Sequence, residues 1–212
     1  MTTQENAVAH EHITLPSVKK FLTDYGITHP DDFSKLNALC HNPSDSSYLR
    51  HVVTFHFQQP VETVWNAYKN IPPARVWGGS MINFGLQYAR YDNSVTYSGT
   101  GAYDGLKAGQ VLILNLSLLN GLINLCIGHE VMEVNEPGKF VRICYLENST
   151  SQGSQFVRLS PAENGGTKII HETFYKSGSW FRDRVLYPGL HTKALKEFHG
   201  NVRKYLEIEK VY

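Results

Sequence analysis

The sequence predicts an α+β domain in which a curved antiparallel sheet is covered by a long C-terminal helix. Three observations carry this reading. Between residues 81 and 176 short apolar-alternating stretches are punctuated by turn chemistry: Asp92-Asn93, Asn135-Glu136-Pro137-Gly138 and Glu163-Asn164-Gly165-Gly166. A run from Leu190 to Glu209 sets Leu190, Ala194, Phe198, Val202 and Tyr205 on one stripe, with Lys193, Lys196, Glu197, Arg203, Lys204 and Glu207 outside. One strand and one helix precede the meander. A meander with one apolar face must cover it, and the long helix is the element available. A strongly curved sheet around one helix leaves space between them, where small ligands sit.

Residues 1–48 differ in character. Three Lys stand against six acids there, a charge of −3, so residues 49–212 carry +4 of the +1 total. Pro16 to Leu22 reads as a short amphipathic helix stopped near Gly26, Asp31 to Leu36 as a second helical turn, and Asn42 to Ser47 as a linker. We expect residues 1–48 to be an N-terminal helical appendage that packs on the main domain or on a partner.

The main domain, residues 49–212, opens with a strand carrying Val53, Phe55 and Phe57 on one face. Pro60 ends it. Val61, Val64, Trp65 and Tyr68 then make the stripe of a helix that Pro72-Pro73 stops. Strands are expected at 81–91, 94–99, 111–119, 130–135, 139–147, 155–159 and 168–175. Residues 108–128 contain no charge, yet Leu112, Leu114, Leu116 and Leu118 alternate in strand fashion and Asn120-Gly121 supplies a hairpin turn. Buried sheet or cavity wall therefore outranks a membrane span, and a short helix over 117–126 is the competing local reading.

Composition narrows the class. In 212 residues, 42% hydrophobic content supports a sizeable core, and a net charge of +1 lacks the basic excess of nucleic-acid binders. Cys40, Cys126 and Cys144 are odd in number and widely spread, suggesting no disulfide framework and a reducing cytoplasm. The first ten residues lack the basic and apolar regions of a signal peptide. None of the ten His has metal-ligand spacing, and there is no P-loop, nucleophile elbow or dinucleotide fingerprint, so neither metal nor cofactor is expected.

Phe57-Gln58-Gln59-Pro60-Val61-Glu62-Thr63-Val64-Trp65 resembles the opening of the START-related superfamily, which includes pollen-allergen-like proteins, lipid-transfer domains and polyketide cyclases. Glu130 to Phe140 is similar to its central hairpin, and Gly165 to Ile169 to its last hairpin. The resemblance spans residues 50–210 as a rhythm of elements. It implies a helix-grip fold with a cavity between sheet and C-terminal helix. It implies no reaction, because that scaffold hosts binders, transporters and enzymes.

Side chains with an apolar body and a polar tip suit such a cavity, so Arg142, Tyr145, His171 and Tyr175 are candidate ligand-orienting residues. The bland alternative puts Arg142 and Glu172 on the outer face, paired with neighbours. His171 is the candidate acid–base residue; Glu172 points to the opposite face and cannot assist it. Residues 179–189 read as a loop at the cavity mouth, where Trp180 and Tyr187 join the candidate ligand residues and Arg182 and Arg184 could attract an anion. His191, near a helix N-terminus, is expected neutral. The leading expectation is binding, transport or sequestration of a small hydrophobic ligand such as a lipid, isoprenoid or aromatic polyketide. A cyclase, dehydratase or hydrolase using a His or Tyr is the alternative, and a protein- or membrane-interaction module the third. A homodimeric state is left open.

Overall fold

The computed structural model describes residues 7–100, 103–147 and 149–209. The signal-peptide reading of residues 1–6 lies outside the described residues. In chain order the elements are α1 (Pro16–Asp24), β1 (Ala38–Leu39), β2 (Leu49–Phe57), α2 (Val61–Asn70), α3 (Pro73–Val76), β3 (Ile82–Ala89), β4 (Ser94–Tyr97), β5 (Gln110–Leu118), β6 (Ile123–Asn135), β7 (Phe140–Leu146), β8 (Gln152–Pro161), β9 (Thr167–Lys176) and α4 (Tyr187–Glu209). All pairings among these strands are antiparallel, in the order β2-β9-β8-β7-β6-β5-β3-β4, with β1 added on β7. The helix-grip architecture is present: a large curved sheet closes on α4.

Each face of the sheet buries a core of its own. On the concave face, Val64, Trp65, Leu114, Val131, Ile169 and Val202 are fully buried together with Phe198 and Leu206 of α4. The stripe of α4 is rotated slightly from expectation, since Leu195 and Leu206 join Ala194, Phe198 and Val202 among its buried residues. Glu197 pins α4 to the sheet. Its carboxylate accepts the backbone N–H groups of Ser80, Met81 and Ile82 at 2.8–3.1 Å, plus the Ser80 hydroxyl.

On the convex face lies the N-terminal segment. Val18, Leu22, Ile27, Phe33 and Leu36 bury against Leu86, Val111, Ile113 and Leu146. Gly85, at the bulge in β3, makes room for it: a Cβ there would lie 2.7 Å from Ile113 O and 2.8 Å from a Val18 methyl. Arg90 ties the layers together, pairing with Glu130 at 2.8 Å while its Nη atoms donate to the carbonyls of Phe33 and Leu36.

Several expectations need correction. Cys40 and Cys144 form a disulfide, 104 residues apart in sequence, beside the short strand β1. No spacing pattern announces a bond that depends on the N-terminal segment crossing the sheet. Residues 117–126 are not a helix. One 3-10 turn at Leu119–Gly121 joins β5 to β6, and β6 runs seven residues earlier than expected, from Ile123. Segment 179–189 is helical from Trp180, with a π turn at Arg182–Leu186 that leads into α4. Pro188 has no N–H for the carbonyl five residues back, that of Asp183; the Tyr175 hydroxyl donates to it instead at 2.7 Å.

Candidate functional site

Strand alternation builds a cavity of about 290 Å³ between the β5–β6 hairpin and the first turns of α4. Leu116 and Leu118 of β5 and Ile123, Leu125, Ile127 and His129 of β6 supply one wall. Leu186, Leu190, Ala194 and Leu195 supply the other, and Trp77, Met81 and Ile82 a third side. The later part of the uncharged stretch 108–128 is thus cavity wall, through alternate residues from Leu116 to Ile127, while Val111 to Leu114 pack in the two cores. Arg182 is the sole charged side chain among the described lining residues. Lining residues that are themselves exposed mark the opening: Ile123, Thr150 and Leu186. Around it stand Leu119 and Leu122 at the hairpin tip, 67% and 84% exposed, and Trp180, Phe181 and Val185, which are 52–70% exposed. From Ile123 to His129 the strand advances six residues, about 20 Å.

The inner end is polar. His129, Tyr145, Gln155, Tyr187 and His191 line it. Tyr145 and Tyr187 share a hydrogen bond of 2.5 Å between hydroxyls, and Tyr187 stacks on Tyr175 at 3.7 Å and on His191 at 4.8 Å. Behind this wall runs a chain of buried side chains that crosses three strands and both long helices. Gln155 Nε2 lies 3.0 Å from His129 Nε2, and Gln155 Oε1 lies 2.9 Å from His171 Nε2. His171 Nδ1 is 3.0 Å from His199 Nε2, and His199 Nδ1 meets the Tyr68 hydroxyl. A second chain joins His191 Nδ1 to His51 Nδ1 at 3.1 Å and His51 Nε2 to Thr192 Oγ1 at 3.0 Å.

Burial keeps these histidines neutral. Desolvation pushes His129 down to about 4 and His199 to about 3, and it holds His171 and His191 well below the ordinary range. Neighbouring histidines and Arg203 push in the same direction. The expected neutrality of His191 thus holds, with burial as its first cause. Burial also raises Tyr145 and Tyr187 above the ordinary phenol range. Among the described residues, no group of three or more His, Cys, Asp or Glu is arranged to hold a metal.

Of the residues singled out by sequence, Tyr145 and Tyr187 line the cavity and touch each other. His171 and Tyr175 share their strand face, as expected, but lie one layer behind the wall with their polar atoms taken up by protein. Arg142 projects from the opposite face of β7, 3.9 Å from Glu133, so it is removed from the cavity by the same alternation that places Tyr145 there. Glu172 likewise pairs outward with Arg50 and Arg158. Trp180 is 70% exposed and stands beside the opening without lining the cavity. Asp183 accepts from the N–H and hydroxyl of Ser177. Sequence reasoning missed His129, Gln155 and His191 as cavity residues. For His129 a signal existed, since it continues the i, i+2 series of Ile123, Leu125 and Ile127.

No protein-family model matches the sequence, and no curated protein matches it. Solved structures do match. The KanY protein is 14% identical with a TM-score of 0.54, over 76% of this chain and 99% of that one. A norcoclaurine synthase from Thalictrum flavum is 12% identical with a TM-score of 0.53, over 78% and 99%. The major latex-like protein 151 of Panax ginseng is 13% identical with a TM-score of 0.51, over 74% and 97%. At such identities the likeness is one of fold: the chain carries the helix-grip architecture of these proteins, as its strand–Pro–helix opening implied.

Proposed function

We propose that this protein binds a small hydrophobic molecule between the sheet and α4, as a carrier or sequestering protein. The observation that carries the reading is the cavity of about 290 Å³, apolar along its length and open between hairpin tip and π turn. Small-molecule sites typically hold ~300–1,000 Å³ and combine an apolar lining with few polar groups. The exposed leucines and aromatics around the opening form a collar suited to the passage of a hydrocarbon chain. Lipids, isoprenoids and aromatic polyketides remain the ligand classes of this reading. An enzymatic role finds less support, because His171 has both ring nitrogens engaged by protein and is held neutral. The Cys40–Cys144 disulfide fits an oxidising compartment better than a reducing cytoplasm.

The test is titration with the neutral apolar dye N-phenyl-1-naphthylamine, alongside denaturing mass spectrometry of the natively purified protein. Saturable dye fluorescence, lost when Leu125→Trp fills the cavity, is expected. A protein that neither binds the dye nor carries an apolar molecule through purification refutes the reading.

A further inference from the structure

The two hydrogen-bonded chains behind the cavity, one buried and one half-buried, each have a direction, and their directions determine what the cavity offers a ligand. Tyr68 is buried, and its hydroxyl has one partner among the described residues, His199 Nδ1. A buried phenol proton needs an acceptor, so Tyr68 donates. A neutral imidazole carries one N–H, so His199 donates from Nε2 to His171 Nδ1. His171 therefore donates from Nε2 to Gln155 Oε1, and the Gln155 amide donates to His129 Nε2. The proton of His129 is thereby placed on Nδ1. That atom is buried and, among the described residues, without a partner, one of two such atoms on the lining residues, the other being Ser149 Oγ.

The second chain runs the other way. Thr192 Oγ1 lies 2.7 Å from the Pro188 carbonyl oxygen, and two oxygens that close need a proton between them. Thr192 thus accepts from His51 Nε2, leaving His51 Nδ1 as an acceptor for the Nδ1 proton of His191. His191 lines the cavity with Nε2 left as a lone pair that no described residue meets.

We propose that His129 and His191 are a ligand-recognition pair, one presenting an N–H and the other a lone pair, and that the ligand is a neutral hydrocarbon bearing a hydroxyl group. This rests on the cavity-binding reading above. A hydroxyl is the simplest uncharged group that both accepts and donates; a ketone answers only His129. A carboxylate would enter an end of the cavity where burial disfavours charge and Arg182, the lining cation among the described residues, already donates to Ser177.

Competition against N-phenyl-1-naphthylamine tests this with dodecan-1-ol, 2-dodecanone, dodecane and dodecanoate. One well-made hydrogen bond gives about five- to tenfold in affinity. The alcohol is expected to displace the dye best, then the ketone, then the alkane. His129→Leu is read by the ratio of alcohol to alkane displacement, and the preference for alcohol and ketone over alkane is expected to be lost. Equal displacement by alcohol and alkane, or strongest displacement by dodecanoate, overturns the recognition pair while dye binding leaves the cavity reading standing. Absence of dye binding overturns both. Should His129→Leu fail to fold, long-range ¹H–¹⁵N spectra of the unmodified protein at pH 7.5 decide the matter. Protons on Nδ1 of both His129 and His191 are expected; an Nε2 proton on either ring overturns the assignment.

Discussion

Acid should unfold this protein in a window where most proteins are comfortable. Four histidines, His129, His171, His191 and His199, are held neutral by burial, with folded values of about 4 for His129, about 3 for His199 and well below the ordinary range for the others. The unfolded chain binds a proton at each near pH 6.5. A folded value below the unfolded one means the stabilisation is present above pH 6.5 and is lost as pH falls toward the folded value. From pH 7.5 to 5.0 each such histidine removes ~2 kcal/mol, so the four together remove ~8 kcal/mol, comparable to the ~5–15 kcal/mol of a whole domain. Carboxylates held low, such as Glu136 at about 2 and Glu172, titrate below this window and do not offset the loss. Urea unfolding followed by tryptophan fluorescence at half-unit pH steps measures the effect. Below pH 6 the slope should approach ~5 kcal/mol per pH unit, corresponding to about four protons taken up on unfolding. A slope below ~1.4 kcal/mol per unit, less than one proton, would refute the claim that these rings are buried and neutral.

Other perturbations probe separate parts of the fold. Reducing the Cys40–Cys144 bond releases a loop with a sequence separation of 104, and calorimetry should show a loss of up to ~4.7 kcal/mol on loop entropy alone. Tyr68→Phe leaves the buried His199 Nδ1 without its donor and should cost ~1–3 kcal/mol in urea, with no change in the Cys40–Cys144 bond by mass spectrometry. Glu197→Gln weakens the charge-assisted bonds to the N–H groups of residues 80–82; a cost of ~1.5–3 kcal/mol and faster amide exchange at those residues are expected. Ala194→Leu adds three carbons to the cavity wall at ~0.8 kcal/mol per buried carbon, so melting should rise by several degrees while dye affinity falls.

The backbone plan was legible because it follows from periodicity. Alternation along 111–119 and 139–147, the Asn120-Gly121 turn and the stripe of α4 are local properties, and each appears within a few residues of where the pattern put it. The polar end of the cavity was only half legible. Tyr145 and Tyr187 were found because tyrosines suit a cavity wall, but which histidine reaches that wall depends on register: His129 on β6 stands opposite Tyr145, while His171 sits on β9, three strands from β6, opposite Val157. Arg142 was misplaced for the converse reason, having been chosen by residue type against the alternation that Tyr145 obeys. The disulfide was invisible because it joins the N-terminal layer to β7, a contact that no local pattern encodes.

The concave face carries two features that a stability-optimised domain would lack. At ~24 cal/mol per Å³, a void of about 290 Å³ forgoes ~7 kcal/mol relative to a packed interior. The histidine chains replace hydrocarbon with rings that must all be satisfied and all stay uncharged. Both features converge on one end of one cavity, and the convex face is built in the opposite style. There the N-terminal layer buries Val18, Leu22, Ile27, Phe33 and Leu36, Arg90 anchors two of its carbonyls, and a disulfide staples it to β7. Stability is thus concentrated on the face away from the cavity, and the side that forgoes it is the side with an opening. A bound ligand at a hundredfold excess over its dissociation constant returns ~2.7 kcal/mol to the folded state, a substantial part of what the void gives up. The empty protein should therefore be the weaker of two states, with the cavity the place where ligand binding and folding are coupled.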